Sequence, residues 1–293
     1  MRDLLVFVLR CTVYAVLLGP ILALSLYALS TRWFFPQLIP REWTAEPLLR
    51  LVSAPQTQAA LARSLLIAGM VTLFALLLGL PAARVLGMRH FRGRRLALLV
   101  LFLPNVLPPL AIGMGLNVLF LRLGLTGSVS GVVLAHMVPV LPYAIFALLG
   151  VFARYDEGYE LQARTLGISP THVLLRVTLP LLAPGLAIAA LFAFLVSWSQ
   201  YVLTLLIGGG QVITLPVLLF AAVSGGNPTS IAGLAMLFAI PPVLVISLTL
   251  RSLSAGAAQI GQHYGGALGR ASNSGMFPND SRASHARRPT PSH

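Results

Sequence analysis

The chain has 293 residues, of which 57% are hydrophobic and only 9% are charged, and its mean hydropathy is +0.87. A typical soluble domain carries about a quarter charged residues, so this composition excludes an ordinary soluble globular protein. The net charge of +13 would suit a nucleic-acid-binding protein, but such proteins concentrate their basic residues on a solvated face. Here the basic residues lie between long apolar runs. We therefore expect a lipid membrane as the environment and no nucleic acid partner.

The basic residues are all arginine, because the chain contains no lysine. A Walker A loop needs a lysine to reach the nucleotide phosphates, so any ATP chemistry is expected to come from a partner. The single cysteine, Cys11, excludes an intramolecular disulfide and a thiolate zinc cluster. We expect no cofactor bound by this chain and no metal site.

Six apolar runs predict membrane spans. A helical span needs roughly 20 mostly apolar residues, and none of the runs has the ten-residue alternation of a membrane β-barrel. The fold class predicted is therefore an all-α polytopic membrane protein with six transmembrane helices. The first run could also be a signal peptide, but it is longer than the apolar region of about 7 to 15 residues that such peptides have. The runs are 4–30, 61–86, 96–121, 129–152, 186–207 and 231–250.

The arginines predict the orientation of these spans. Fifteen of the 20 arginines fall on one side of the membrane if the six spans alternate, and five fall on the other. Arginine-rich connections stay in the cytoplasm, so both termini are expected to be cytoplasmic. The three richest segments hold Arg84, Arg89, Arg92, Arg94 and Arg95, then Arg154, Arg164 and Arg176, then Arg251, Arg270, Arg282, Arg287 and Arg288.

The segments between the spans divide the chain into three regions. Residues 1–60 are expected to form the first helix and a polar periplasmic loop (31–60), residues 61–252 a core of five helices, and residues 253–293 a disordered cytoplasmic tail, since the tail is poor in apolar residues. Within the core, the apolar stretch 212–223 is too short to span and predicts a short helix with Pro216 in its first turn. Pro104, Pro108 and Pro109 predict a kink in the third span.

The segment 156–185, between the fourth and fifth spans, has the pattern of two short amphipathic helices. The first is predicted from Tyr159 to Gly167, with Ala163 and Gly167 on one face of small residues. Ser169 and Pro170 then break it and begin the second helix, with Ser169 as its cap. Such a segment could simply cover the inner ends of the spans as an interfacial helix.

The same segment carries the motif that indicates a family. Ala163 to Gly167 reads A-R-T-L-G, and nine residues later Val177 to Pro180 reads V-T-L-P. This resembles the signature loop of binding-protein-dependent ABC importer permeases, which reads E-A-A, three residues, G, nine residues, I, any residue, L-P. Leu161 and Gln162 stand where the motif has Glu and its first Ala, and Glu160 is the candidate for the acidic role.

The resemblance implies a type I importer permease in the bacterial inner membrane. In that family two permease subunits, alike or different, surround the solute pathway. A periplasmic binding protein delivers the solute, and cytoplasmic ATP-binding subunits use ATP and Mg. The loop docks on the ATPase, so it is expected to act through Glu160, Ala163, Arg164, Gly167 and Pro180. The pattern from Ser197 to Gly210 is similar to that of the group handling polyamines, thiamine and ferric iron, and a polyamine is the solute expected.

Polar residues inside the spans are candidates for the pathway lining, because burying them in lipid is costly. The same groups also make ordinary helix–helix hydrogen bonds, and His136 is expected to be packed in that way. The candidates are Asn105, Asn117, Ser197, Ser199, Gln200 and Thr204.

Two other functional classes remain as alternatives. An intramembrane enzyme is disfavoured because the chain has no G-x-S-x-G, no H-E-x-x-H and no acidic cluster, so we expect no catalytic residue. A proton-coupled carrier would need ionisable residues in its spans, and every Asp and Glu lies outside them. A secondary transporter or channel for a small solute is therefore the weaker alternative.

Overall fold

The structure is a computed structural model that describes residues 2–30 and 43–273. These residues form helices and no β-strand beyond an isolated bridge between Ser30 and Trp43. The chain divides into two units, residues 1–249 and 250–293. The described part of the second unit is the continuation of the last helix.

Twelve α-helices and one π-helical segment follow one another in these residues. They are α1 (Arg2–Ala28), α2 (Glu46–Ser53), α3 (Pro55–Met88), α4 (Arg94–Val106), α5 (Pro109–Arg122), α6 (Val129–Phe152), α7 (Gly158–Thr165), α8 (Pro170–Val173), the π-helical segment Leu174–Thr178, α9 (Leu179–Trp198), α10 (Val202–Gly208), α11 (Leu215–Gly225) and α12 (Pro228–Asn273). Five stretches are long and apolar enough to cross a membrane, and α4 with α5 makes a sixth if the pair counts as one span.

The centre of the bundle is built by α3, α6 and α9. One buried cluster includes Ile67, Val140 and Ala193, and a second includes Leu148 and Leu182. Alanine and glycine are frequent where these helices meet. Small residues let helix backbones approach closely, which is the main source of packing energy between helices in lipid.

The third span is broken rather than kinked. Its two halves, α4 and α5, are bent by 100° relative to each other. Pro108 and Pro109 have no backbone N–H, so two carbonyls one turn earlier lose their helical partners. The sequence correctly located the irregularity but underestimated it, because a count of prolines does not give the bend angle.

The fifth span differs from the predicted 186–207. Helical structure begins at Pro170, runs through the π-helical segment and stops at Trp198, and α10 follows after a break of three residues. The predicted bounds were wrong because 186–207 was taken as one continuous helix, although the run S-W-S-Q-Y at 197–201 interrupts its apolar residues.

The connecting segments also differ in part from expectation. The expected loop 31–60 contains α2 and the first turns of α3, while residues 31–42 lie outside the described residues. The short helix α11 has Pro216 in its first turn, as predicted. The last helix continues to Asn273 and so includes the first part of the tail expected to be disordered, because extending a formed helix needs no new nucleus. Residues 274–293 lie outside the described residues.

Candidate functional site

A buried carboxylate holds the segment between α6 and α9 to the rest of the bundle. Glu160 lies in α7 and is only 4% exposed. Arg84 donates from Nη2 to Glu160 Oε2 at 2.8 Å. The hydroxyls of Tyr155 and Thr178 donate to Glu160 Oε1 at 2.9 and 3.0 Å. The carboxylate therefore accepts three hydrogen bonds, one of them from a cation.

The three donors come from different elements. Arg84 lies near the end of α3, Tyr155 follows α6, and Thr178 is the last residue of the π-helical segment. Glu160 thus ties α7 to the end of α6, to the π-helical segment and to α3. Its partner in α3, Arg84, is 76 residues away in sequence. Arg164, one turn later in α7, places a second guanidinium with Nη2 at 3.7 Å from Glu160 Oε2.

The ionisation of this cluster follows from its contacts. Burial opposes the charge on Glu160, but the hydrogen bonds from Arg84, Tyr155 and Thr178 outweigh it, so the pKa of Glu160 lies below its ordinary value of 4.5. Burial raises the pKa of the Tyr155 hydroxyl, and the nearby Glu160 charge adds to that rise. At neutral pH the carboxylate is therefore a full acceptor and the phenol remains a donor.

The turn after α7 depends on Gly167. This residue has φ +79°, a left-handed conformation that glycine adopts without steric cost, and its N–H donates to the Arg164 carbonyl at 3.0 Å. Ala163, by contrast, is buried within the chain. The expected common face of Ala163 and Gly167 does not form, because α7 ends at Thr165 and the helical spacing stops there.

The outer surface of this loop includes three large apolar side chains among its polar ones. Leu166 is 80% exposed, Leu161 61% and Tyr159 53%. Exposed apolar side chains gathered on one short segment are typical of an interaction surface. These exposed side chains were not predicted, because the expected docking face rested on the small residues of A-R-T-L-G and not on its leucine.

Pro180 lies at the start of α9, within the apolar stretch Pro170–Trp198. It is exposed and is the second residue of α9, directly after the π-helical segment. The Leu179 N–H donates to the Leu174 carbonyl, a bond across five residues. Because proline has no N–H, the carbonyl of Arg176 lacks its α-helical donor. Arg176 lies in the π-helical segment, whose turn is wider than that of an α-helix.

A second feature is a cavity of about 210 Å³ at which the two helix breaks meet. Asn105 lines it from the break between α4 and α5, and Gln200 from the break between α9 and α10. Tyr143 of α6 contributes to the wall. Two of the six polar residues proposed as pathway lining therefore face one space.

The other four candidates lie elsewhere. Ser197 and Thr204 are buried and flank His136, at 3.0 Å from its Nδ1 and 2.9 Å from its Nε2. Asn117 donates from Nδ2 to the carbonyl of Leu206 at 2.6 Å. These contacts are helix–helix hydrogen bonds, the alternative that the sequence left open.

The fourth candidate, Ser199, is exposed and donates to the Val196 carbonyl at 3.2 Å. It lies in the break after α9 but not in the cavity wall.

No group of three or more His, Cys, Asp or Glu side chains is close enough to hold a metal ion anywhere in residues 2–30 and 43–273.

Comparison with known proteins identifies the family. Residues 59–256 match the family described as "Binding-protein-dependent transport system inner membrane component". The chain belongs to this family. It is therefore a multi-pass inner-membrane permease of a binding-protein-dependent ABC importer, as the motif 163–180 indicated.

Individual relatives agree with this assignment. The molybdenum transport system permease protein ModB of Mycobacterium tuberculosis is 34% identical over 222 residues, which cover 71% of this chain and 81% of that protein. The putative 2-aminoethylphosphonate transport system permease protein PhnV of Salmonella typhimurium is 29% identical over 245 residues, covering 83% and 90%. Both relatives are described as permeases and neither as an ATPase.

The fold of the importer permease is also seen in a solved structure. A bacterial ABC transporter that imports the acidic polysaccharide alginate superposes with a TM-score of 0.66 and 18% identity, covering 86% of this chain and 95% of that one. The all-α type I importer permease fold expected from the sequence is confirmed.

Three residues of the permease's Glu160 cluster were not predicted. Arg84 entered the sequence analysis only as one arginine of a basic connection, and Tyr155 and Thr178 did not enter as site residues at all. The sequence offered one indication of them. Glu160 lies one position before the place where the motif has its acid, and a buried carboxylate needs a cation and hydroxyl donors around it. Their positions in sequence gave no indication of which residues those donors would be.

Proposed function

We propose that this permease transmits the movement of a cytoplasmic ATPase to the solute pathway through residues 156–180. The observation that carries the proposal is the Glu160 cluster, because it joins an exposed apolar loop to α3 and to the start of α9. A force applied to Leu166 or Tyr159 is then passed to two of the three central helices. ATP and Mg²⁺ belong to the partner subunit, and both termini of this chain lie on its side of the membrane.

A single chain does not enclose a route across the membrane in this proposal. A second permease, alike or different, lies against this one, and a periplasmic binding protein supplies the solute. The family description, which names binding-protein-dependent transport, supports the binding protein.

The docking surface is tested with Gly167→Trp. The bulky residue adds backbone strain at φ +79° and a large side chain on the docking surface, where nothing lies within 4 Å. ATP-driven uptake in proteoliposomes should fall about 5- to 150-fold, the range of typical coupling energies, and less ATPase should co-purify in mild detergent.

The matched control is Gly93→Trp. Gly93 has φ +93° and also has nothing within 4 Å, but it lies in the α3–α4 connection. Equal losses in both variants would mean that strain alone is responsible, and normal uptake by well-expressed Gly167→Trp would refute the docking surface. Uptake by the wild-type permease without any ATPase would favour the secondary carrier.

We infer that the solute is a small oxyanion of the molybdate or phosphonate kind. Relatives are described as molybdenum and 2-aminoethylphosphonate permeases, whereas the expectation of a polyamine finds no support among them. The chemistry agrees, because a polycation would favour carboxylates along its route and no Asp or Glu lies within the predicted spans.

The solute class is tested by uptake of labelled molybdate into proteoliposomes that hold the complete importer and its binding protein. We expect competition by unlabelled oxyanions and none by spermidine. If spermidine alone competes with labelled molybdate, the solute is a polyamine and the oxyanion assignment is wrong.

A further inference from the structure

The cavity between the two broken helices is the strongest unassigned feature of the chain. Its wall includes Asn105 and Gln200 at the two breaks and Tyr143 on the continuous helix α6. Discontinuous helices near the middle of the membrane commonly form the solute sites of transporters, since the breaks free polar groups there.

The cavity lies near the middle of the apolar spans that line it. With a rise of about 1.5 Å per residue, Asn105 is about 16 Å along α4 from Arg94. Tyr143 is about 21 Å along α6, whose 24 residues span about 36 Å. Tyr143 is far from either end of α6, and Asn105 is next to the last residue of α4, where the third span breaks.

One polar group at this place has no partner. Among the described residues, the Nδ2 of Asn105 is buried and makes no hydrogen bond. Leaving a buried amide unsatisfied is costly, so such a group in a native structure calls for an explanation. Asn105 lines the adjoining cavity, and a rotation of its side chain would bring this amide to a ligand there.

The wall offers neutral donors and carries no charge. Asn105 and Gln200 bring amide N–H groups and Tyr143 an O–H, and no Arg, Asp or Glu lines the space. Neutral donors can stabilise an oxyanion out of water without the strong attraction of a buried cation, which would hinder its release. About 210 Å³ corresponds to about seven water molecules at liquid density, which is room for one small oxyanion.

We propose that this cavity is a transit site for the oxyanion within the permease, in which the Asn105 and Gln200 amides and the Tyr143 hydroxyl donate to its oxygens. This proposal rests on the proposed function, since it needs an imported oxyanion.

The test is Asn105→Asp in the complete importer in proteoliposomes, with its binding protein and labelled molybdate. The new carboxylate keeps the side-chain shape but repels an anion, so the number of molybdate ions imported per ATP hydrolysed should fall by at least about tenfold. Gln200→Leu removes a donor without adding charge and should lower the same ratio. Size-exclusion chromatography checks that each variant assembles.

Ser130→Asp is the control for charge. It adds the same charge at the exposed first turn of α6, where a carboxylate is tolerated, and Ser130 does not line the cavity. Normal molybdate import by this variant, with a loss in Asn105→Asp and Gln200→Leu, supports the site.

Two negative results are distinguishable. If the wild-type importer moves molybdate and both cavity variants match Ser130→Asp, the transit site is wrong and the proposed function stands. If the wild-type importer moves no oxyanion, the solute assignment fails and the site fails with it.

Discussion

At the scale of single residues, Glu160 shows how a departure from a motif can keep its chemistry. The carboxylate lies one position before the place where the family motif has its acid, yet it accepts hydrogen bonds from three partners. Breaking a buried ion pair by removing one partner typically costs about 3–5 kcal/mol. The net value here is smaller because Arg84 is 35% exposed and solvent screens it.

The lowered pKa of Glu160 predicts a pH dependence for the loop. A carboxyl group with a lowered pKa in the folded state contributes stability above its unfolded pKa, and that contribution is lost as the pH falls through the folded value. The ordinary value is 4.5, so the loop should be firmly held at pH 7 and should loosen below pH 4.5. Hydrogen exchange of residues 154–168 across this range measures the effect.

Glu160→Gln removes the titrating group, so its loop should exchange faster at pH 7 and show no further step on acidification. Glu157→Gln is the matched control, because Glu157 is three residues away and outside the hydrogen-bonded cluster. A step that persists in Glu160→Gln would mean that another group titrates.

At the scale of elements, the helices are positioned by close approaches that the sequence does not reveal. A Cβ at Gly185 in α9 would overlap the side chain of Val151 in α6, whereas one at Gly150 would meet nothing within 4 Å. Both glycines lie in apolar helices and look equivalent in the sequence. Only Gly185 is at a contact between helices.

Gly185→Ala should therefore destabilise the permease by the usual cost of overpacking, about 1–3 kcal/mol, and lower its thermal unfolding midpoint in detergent. Gly150→Ala should keep or raise the midpoint, since alanine is the better helix former. The reverse order of the two midpoints would contradict the α6–α9 contact.

The buried histidine is a second example at this scale. His136 on α6 bonds Ser197 before the helix break and Thr204 after it. The sequence predicted a packed histidine, and that is its position. Its role in bridging the break was not predictable, because the run S-W-S-Q-Y at 197–201 interrupts the apolar span but does not show which side chain bonds across the interruption.

At the scale of the whole molecule, the apolar exterior and the arginine distribution describe a protein that needs lipid and partners. α4 has no buried residue within this chain and packs on the bundle only through partly buried residues such as Leu98 and Leu101, so the rest of its surface is free for lipid or for a second permease. The basic segments alternate with apolar spans, and the side of the membrane they occupy is still a prediction.

Cysteine accessibility tests that orientation in a Cys11→Ser background, which removes the only native thiol. Arg92→Cys, in the basic α3–α4 connection, should react with an impermeant maleimide only after the cells are opened. Ser224→Cys, near the end of α11, should react in cells whose inner membrane is intact. If Arg92→Cys reacts in intact cells and Ser224→Cys does not, the topology is the inverse of the predicted one. Labelling of both variants in detergent checks that each thiol is reactive.

The sequence by itself determined the membrane class, the all-α fold, the family and the location of the motif-bearing loop that we propose meets a partner. It could do so because hydropathy, arginine counts and the spacing from Ala163 to Pro180 are properties of the chain read in order. Tertiary structure alone decided that Arg84, Tyr155 and Thr178 surround Glu160, and that Asn105 and Gln200 share a cavity while Ser197 and Thr204 bond to His136. These pairings join residues far apart in sequence, and they depend on close contacts between helices that no local pattern encodes.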